Sequence, residues 1–268
     1  MCGIVGVFNK NGRPVSAGRL RHMTDIMAHR GGGRNSEYLG VSENSIEMIA
    51  IAERFGSTGI EIDLRLSKDG VPFLYHDNDI NLRLTQKGPI WGNIEDFTWQ
   101  QLRTLVTLRN GEKIPSAEEA LEYVLEETDL KVVWLDTKDV DVIPSSIAIQ
   151  REVLRRAGET GRDLEVYIGL PSQDVYDAFV ATAGHDTIPS LCELSTGQAT
   201  QANSSVWAPR WTQGTQDDQV AAMHAEGRKA FVWTLDEANY IQEFVNNGQF
   251  DAILTNYPTI LSYYHYIR

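Results

Sequence analysis

Four short clusters along the chain carry residue types suited to acid–base and phosphate chemistry: His29 with Arg30, Glu61-x-Asp63, His76 with Asp77, and Asp136-x-Lys138. Carboxylates two residues apart on an extended segment point to the same face. Buried side by side they repel, and a cation between them relieves the repulsion. The oxygen donors of Glu61 and Asp63 suit a hard divalent ion, Mg²⁺ or Ca²⁺, better than zinc. Two imidazoles, His29 and His76, supply an acid–base pair at neutral pH. One takes a proton from the attacking oxygen and the other gives one to the leaving oxygen. Arg30 and Lys138 are fit to hold phosphate charge, the guanidinium through a two-pronged contact. The chemistry expected is metal-dependent cleavage of a phosphodiester. A solvated edge strand would also give the alternation at Glu61 and Asp63, but Ile60, Ile62 and Leu64 commit the opposite face to packing. His22, His185, His224 and His265 do not end a predicted barrel strand and are read as ordinary surface or core histidines.

These clusters need a scaffold that brings them together. Short apolar runs alternate with longer helix-like stretches, which predicts strands at 26–29, 59–66, 72–76, 132–136, 164–170, 187–191, 230–235 and 251–255. Helices are expected over 45–55, over 116–127 with Ser116 as N-cap and Glu119 closing a capping box, and over 217–226 with Gly227 ending it. Residues 78–112 are irregular and read as an excursion over one end. The sixth strand is the least defined, and a strand around 205–208 competes for its place. Eight strands separated by helical segments predict an α/β fold, a closed parallel TIM-type (β/α)8 barrel. Functional residues of such barrels gather at the C-terminal strand ends. His29 would end the first strand, Glu61 and Asp63 lie on the second, His76 would end the third and Asp136 the fourth.

Composition narrows the class. The 268 residues carry a formal charge of −13, which disfavours nucleic acid as a partner. The two cysteines, Cys2 and Cys192, make neither a disulfide framework nor a Cys-x-x-Cys zinc site, and both are expected to be free thiols. No apolar run reaches the ~20 residues that span a bilayer, and the first residues lack a basic leader, so a cytoplasmic location is expected. The oligomeric state is not encoded in any pattern found.

The motifs AHRGG at 28–32, SENS at 42–45, GIEIDLRLSKDGVPFLYHD at 59–77, IPSAEEAL at 114–121, FVWTLD at 231–236 and DAILTNYP at 251–258 together resemble the glycerophosphodiester phosphodiesterase family over about residues 26–258. The resemblance implies a TIM-type barrel that hydrolyses glycerophosphodiesters to an alcohol and glycerol 3-phosphate. It implies His29 and His76 as the acid–base pair, Glu61 and Asp63 as metal ligands, and Arg30 on the phosphate. It adds Glu43 and Trp233 as substrate-side residues, although Trp233 reads equally as core of its strand. The third metal ligand of the family is usually a Glu; Asp136 stands here, one methylene shorter. Ser42 replaces the usual Pro, and the 31–42 loop is slightly long. An Asp third ligand also resembles the sphingomyelinase D-like phospholipases, which can release a cyclic phosphate by internal attack.

Residues 1–30, MCGIVGVFNKNGRPVSAGRLRHMTDIMAHR, resemble instead the start of a class II glutamine amidotransferase, as in asparagine synthetase. That likeness implies Cys2 as an N-terminal nucleophile. The Pro-Asp that should follow Gly31 and the later Asn-Gly-Glu-like segment are absent, so a nucleophile without its oxyanion contacts is expected to do little. The chain thus reads as an amidotransferase-like arm or hairpin over 1–23 joined to a barrel over 24–268. At the seam, the amidotransferase pattern calls for a helix over 19–29 and the barrel for a strand over 26–29; the barrel strand, which buries more, is expected to prevail.

Overall fold

A computed structural model describes residues 25–33 and 39–266. The amidotransferase-like residues 1–23, with Cys2, and part of the 31–42 loop lie outside the described residues. At the seam the chain is extended: Asp25–Ala28 forms strand β1, as the barrel requires.

Eight parallel strands close on themselves. They are β1, β2 (Gly59–Leu66), β6 (Val132–Thr137), β7 (Glu165–Leu170), β8 (Ser190–Cys192), β9 (Val206–Trp207), β10 (Lys229–Val232) and β11 (Ala252–Thr255), paired in the order β1-β11-β10-β9-β8-β7-β6-β2 with β1 pairing β2 to close the ring. One expected strand is not in the barrel. Pro72–Leu74, β3, pairs antiparallel with β2 as the return arm of a hairpin. The five residues between them are too few for a parallel crossover, which takes a dozen or more. Its place in the barrel goes to β9, the strand that competed for the sixth position, so both β8 and β9 are barrel members. His76 therefore reaches the mouth from the end of a hairpin and not from a barrel strand.

Alternation along the strands divides the core. Met27, Val132, Trp134, Tyr167, Leu191, Val206, Phe231, Ala252 and Leu254 fill the barrel interior. The alternate positions, such as Ile26, Ile60, Val133, Ile168, Cys192 and Val232, pack outward under the helices. Cys192 is a free, buried thiol. The helix Ala117–Glu127 carries the expected capping box between Ser116 and Glu119, and the helix Asp217–Ala225 ends before Gly227 in the left-handed region. The excursion over 78–112 carries a short antiparallel pair, β4 (Asp79–Ile80) with β5 (Gly92–Asn93), and a small core of its own, in which Ile80, Leu84, Ile94, Leu102, Val106 and Leu108 cover Phe73 and Tyr75.

Barrel closure at β1, β2 and β6 leaves no room at Gly59, where a Cβ would stand 2.4 Å from Met27 Sδ and 2.7 Å from the Val132 carbonyl oxygen. Gly59→Ala is expected to cost about 1–3 kcal/mol by overpacking. A thermal melt should show this as a drop of several degrees, at about 2–4 °C per kcal/mol for a chain of this size.

Candidate active site

The inward positions that follow the apolar interior layer set the site. Two residues beyond the last inward apolar residue of each strand lie His29 after Met27, Asp136 after Trp134, Glu193 after Leu191, Arg210 after Ala208, Trp233 after Phe231 and Asn256 after Leu254. β2 contributes Glu61 and Asp63, both buried. Nearly every strand thus sends a polar or aromatic group into the C-terminal mouth.

Glu61, Asp63 and Asp136 each bring a carboxylate oxygen to within 4.8 Å of the others. Glu61 Oε1 and Asp136 Oδ1 are buried and receive no hydrogen bond. Orphaned carboxylate oxygens aimed at one another fit a divalent cation, because the donors are all hard oxygens and no protein donor satisfies them. Burial, with the charges of Asp63 and Asp136, pushes the Glu61 carboxyl well above the usual carboxylate range. Asp63 goes the other way. Burial alone would raise it, but Lys138, His76 and Arg30 hold it below the usual range. Lys138 Nζ sits 2.7 Å from Asp63 Oδ1 and also bonds Asp136. Against its own burial, those carboxylates push the ammonium pKa up, so Lys138 stays charged.

Arg30 occupies a tight turn over His29–Gly31 with φ +54°, a left-handed conformation unusual for a side chain of its size. The turn directs its backbone N–H to Glu61 Oε2 at 2.8 Å and its guanidinium to Glu43 at 2.5 Å, with Nε 3.9 Å from Asp63. Glu43 is shared with Arg83, 3.2 Å away. Asn44 clamps Asp63 from both sides, donating from Nδ2 to Oδ2 at 2.6 Å and accepting from the Asp63 N–H at 3.1 Å. Ser42 gives a reason for the lost Pro: its backbone N–H and its hydroxyl both donate to Glu112 (2.9 and 2.6 Å), tying the loop to the excursion. A Pro has no N–H to give.

The two imidazoles are held alike. His29 Nδ1 pairs with Asn256 Oδ1 at 2.8 Å, and Asn256 is fixed by Asp236 through Nδ2 (2.7 Å) and its backbone N–H (2.9 Å). An amide oxygen only accepts, so Nδ1 carries the proton and Nε2, 3.7 Å from Glu61 Oε2, is the free nitrogen. Burial and the Arg30 charge lower the His29 pKa to about 3. His76 Nδ1 bonds Asp77 Oδ1 at 2.7 Å, and Arg83 (2.6 Å) and Asn81 (2.8 Å) hold Asp77 in place. Burial lowers the His76 pKa as well. Arg65 fixes the backbone here, donating to the His76 carbonyl at 3.0 and 3.2 Å. A cleft of about 530 Å³ opens beside His76, lined by Arg65, Asp77, Asn78, Asp79, Asn81 and Lys138.

His29, Arg30, Glu43, Glu61, Asp63, His76, Asp136, Lys138 and Trp233 lie at this mouth or in its wall, whereas Cys2 lies outside the described residues. Trp233 is half-buried on top of the barrel interior, where its Nε1–H donates to the Ala208 carbonyl and its ring carries the Arg210 guanidinium at 4.5 Å. The sequence reading missed Glu193, Arg210, Asn256, Asp236 and Arg83. The two-residue step past the inward apolar positions would have found the first three. Nothing in the pattern marks Arg83, which comes from the irregular excursion.

The glycerophosphoryl diester phosphodiesterase family model matches residues 29–260. Curated relatives include glycerophosphodiester phosphodiesterase 1 of Mus musculus and of Homo sapiens, each 36% identical over 121 residues, or 42% of this chain and 34% of theirs. A glycerophosphodiester phosphodiesterase of Caldanaerobacter subterraneus is 34% identical over 107 residues, 38% of this chain and 40% of its own. The chain thus spans about a third of the length of the mammalian relatives it matches. Among solved structures, a glycerophosphodiester phosphodiesterase from Parabacteroides distasonis superposes with a TM-score of 0.71 at 23% identity, covering 91% of this chain and 98% of that one. An Oleispira antarctica phosphodiesterase in complex with the product sn-glycerol-3-phosphate gives 0.70 at 20% identity, covering 90% and 96%. These likenesses below 25% identity speak for the barrel, whereas the family model spans most of the chain. The chain belongs to the glycerophosphoryl diester phosphodiesterase family.

Proposed function

We propose that residues 24–268 form a catalytic barrel that hydrolyses glycerophosphodiesters to an alcohol and glycerol 3-phosphate. The observation that carries the reading is the set of orphaned carboxylate oxygens on Glu61 and Asp136, flanked by two imidazoles with free Nε2 atoms. Glu61, Asp63 and Asp136 would hold one divalent cation, Mg²⁺, Ca²⁺ or Mn²⁺. When bound, the ion neutralises phosphate charge and polarises the phosphorus centre.

The chain's own residues do the rest. Lys138 and Arg30 carry fixed positive charge beside the same carboxylates and face the phosphate oxygens. His29, kept neutral by burial, accepts a proton at Nε2, and Asn256 with Asp236 fixes the tautomer that leaves this nitrogen free. His76, its Nδ1 bonded to Asp77, carries a proton at Nε2 to the leaving oxygen. Asp77 stabilises that charged imidazole, and Glu43 aligns Arg30 and Arg83. The amidotransferase-like residues add no second activity to this proposal. Among the described residues no helix is long and apolar enough to cross a membrane.

Asp136 as third ligand supports a second reading, attack by a substrate hydroxyl that gives a cyclic phosphate. Phosphorus NMR of glycerophosphocholine incubated with the metal-loaded protein separates the two. Glycerol 3-phosphate alone is the expected product. A cyclic phosphate would select the second reading, and phosphocholine would show that the other ester bond is cut.

A further inference from the structure

Outside the cluster of Glu61, Asp63 and Asp136, one inward carboxylate oxygen of the mouth has no hydrogen-bond partner among the described residues. β8 faces inward at Leu191, so Glu193 is its next inward position. Glu193 Oε1 is buried and receives no hydrogen bond. Burial and the Asp136 charge push its carboxyl well above the usual range, while Lys138 and Arg210 pull the other way. It is not one of the three carboxylates that close on each other around the proposed cation. A buried carboxylate oxygen left without a donor costs stability and gains the fold nothing.

Glu193 stands among polar groups of the mouth, with Asp136 and Lys138 on one side. The room that Gly169 leaves on the intervening β7 is taken by the Trp134 indole, 2.6 Å from where a Cβ would stand. On the other side stand the Arg210 guanidinium and the Trp233 ring on which it lies, 4.5 Å from the centroid. A hydrogen-bond acceptor, a cation and an aromatic face in one corner suit a short polyol, whose hydroxyls meet the polar groups and whose C–H face meets the ring. The open cleft beside His76 lies on the opposite flank and has room for a variable alcohol.

We propose that Glu193, with Arg210 and the face of Trp233, reads the hydroxyl groups of the glycerol arm and is the residue that separates glycerophosphodiesters from phosphodiesters lacking those hydroxyls. The inference rests on the hydrolase reading above. The acceptor is the unpartnered Oε1, and the donor is a glycerol hydroxyl.

The test uses the whole chain loaded with divalent cation. Calorimetry compares glycerol 3-phosphate with methyl phosphate, and kinetics compare glycerophosphocholine with methyl phosphocholine. The wild type is expected to favour the glycerol member of each pair by about ten- to a hundredfold, the range for hydrogen bonds to a charged group. Glu193→Ala should reduce both preferences to about twofold, acting through Kd and KM and leaving methyl phosphate binding unchanged. Glu193→Gln keeps a carbonyl acceptor and should retain part of the preference. Neither variant should melt below the wild type, because each removes an unpaired buried carboxyl. Equal losses on both members of a pair, an undiminished preference, or a marked fall in melting temperature would overturn the proposal. The two readings fail separately. A wild type that turns over both diesters equally well removes the glycerol reader and keeps the hydrolase. A protein that cleaves neither, yet binds glycerol 3-phosphate through Glu193, keeps the reader and removes the hydrolase.

Discussion

His29→Ala is expected to lower kcat for glycerophosphodiester hydrolysis by about 10²–10⁴-fold, the usual worth of a positioned proton-transfer group. The loss should fall on kcat more than KM, because His29 acts on a proton in flight and Arg30 and Lys138 hold the phosphate. The fold should tolerate the change. His29 lies in the turn after β1, its backbone carbonyl bonds are kept in the variant, and its side-chain hydrogen bond goes to Asn256, which keeps its two bonds to Asp236. The variant should even be relatively more stable in mild acid. With a folded-state pKa of about 3 against 6.5, His29 resists protonation in the folded chain and accepts it in the unfolded one. Stability linked to His29 is therefore present above 6.5 and is lost as pH falls from 6.5 towards 3. Melting curves at pH 7.5 and pH 5, alongside steady-state kinetics, check both halves. Near-wild-type kcat would remove His29 from the mechanism.

Asp63→Asn is the second large effect, and it acts on stability and metal together. Asp63 is fully buried and balances Lys138 at 2.7 Å and Arg30 at 3.9 Å. Removing its charge leaves two buried cations with fewer counter-charges, a change that typically costs about 3–5 kcal/mol. It also removes one of the three carboxylates proposed to hold the cation. In the wild type without metal, burial and the charges of Asp63 and Asp136 push the Glu61 carboxyl well above the usual carboxylate range. The metal-free protein should therefore lose stability as pH rises through that raised pKa, since ionising Glu61 costs more folded than unfolded. A divalent cation needs the ionised form, so its stabilising shift in melting temperature should grow with pH. Thermal melts with and without Mg²⁺ or Ca²⁺ at pH 5.5 and 8 should show that growth in the wild type and no shift in Asp63→Asn. An equal shift in both would place the cation elsewhere.

Much of the site was legible because chemistry and periodicity coincide there. GIEIDLRL alternates strictly, so Glu61 and Asp63 had to share a face, and the apolar alternates told which face packs. The misplacement of PFLYH has a physical cause: alternation is the same in a barrel strand and a hairpin arm. The connection decides between them, and the turn through Gly70, φ +84°, permits only an antiparallel return. β9 is two residues long and carries too little alternation to outweigh that stronger run. Glu193 and Arg210 went unseen for the same reason. Their strands are short, and without the register of Leu191 and Ala208 nothing shows that they point inward. At residues 25–28 the two resemblances called for different elements, and the strand is the one present: Asp25–Ala28 pairs in parallel with β11 on one side and β2 on the other.

The central claim is that Glu61, Asp63 and Asp136 hold a divalent cation on which phosphodiester hydrolysis by His29 and His76 depends. It is tested most directly by release of glycerol 3-phosphate from glycerophosphocholine, followed in a coupled assay before chelation, after EDTA, and after the metal is restored. Activity should be abolished by EDTA and restored by Mg²⁺, Ca²⁺ or Mn²⁺, and neither His29→Ala nor His76→Ala should recover it with any of the three. Activity unchanged by EDTA and by both histidine substitutions would contradict it.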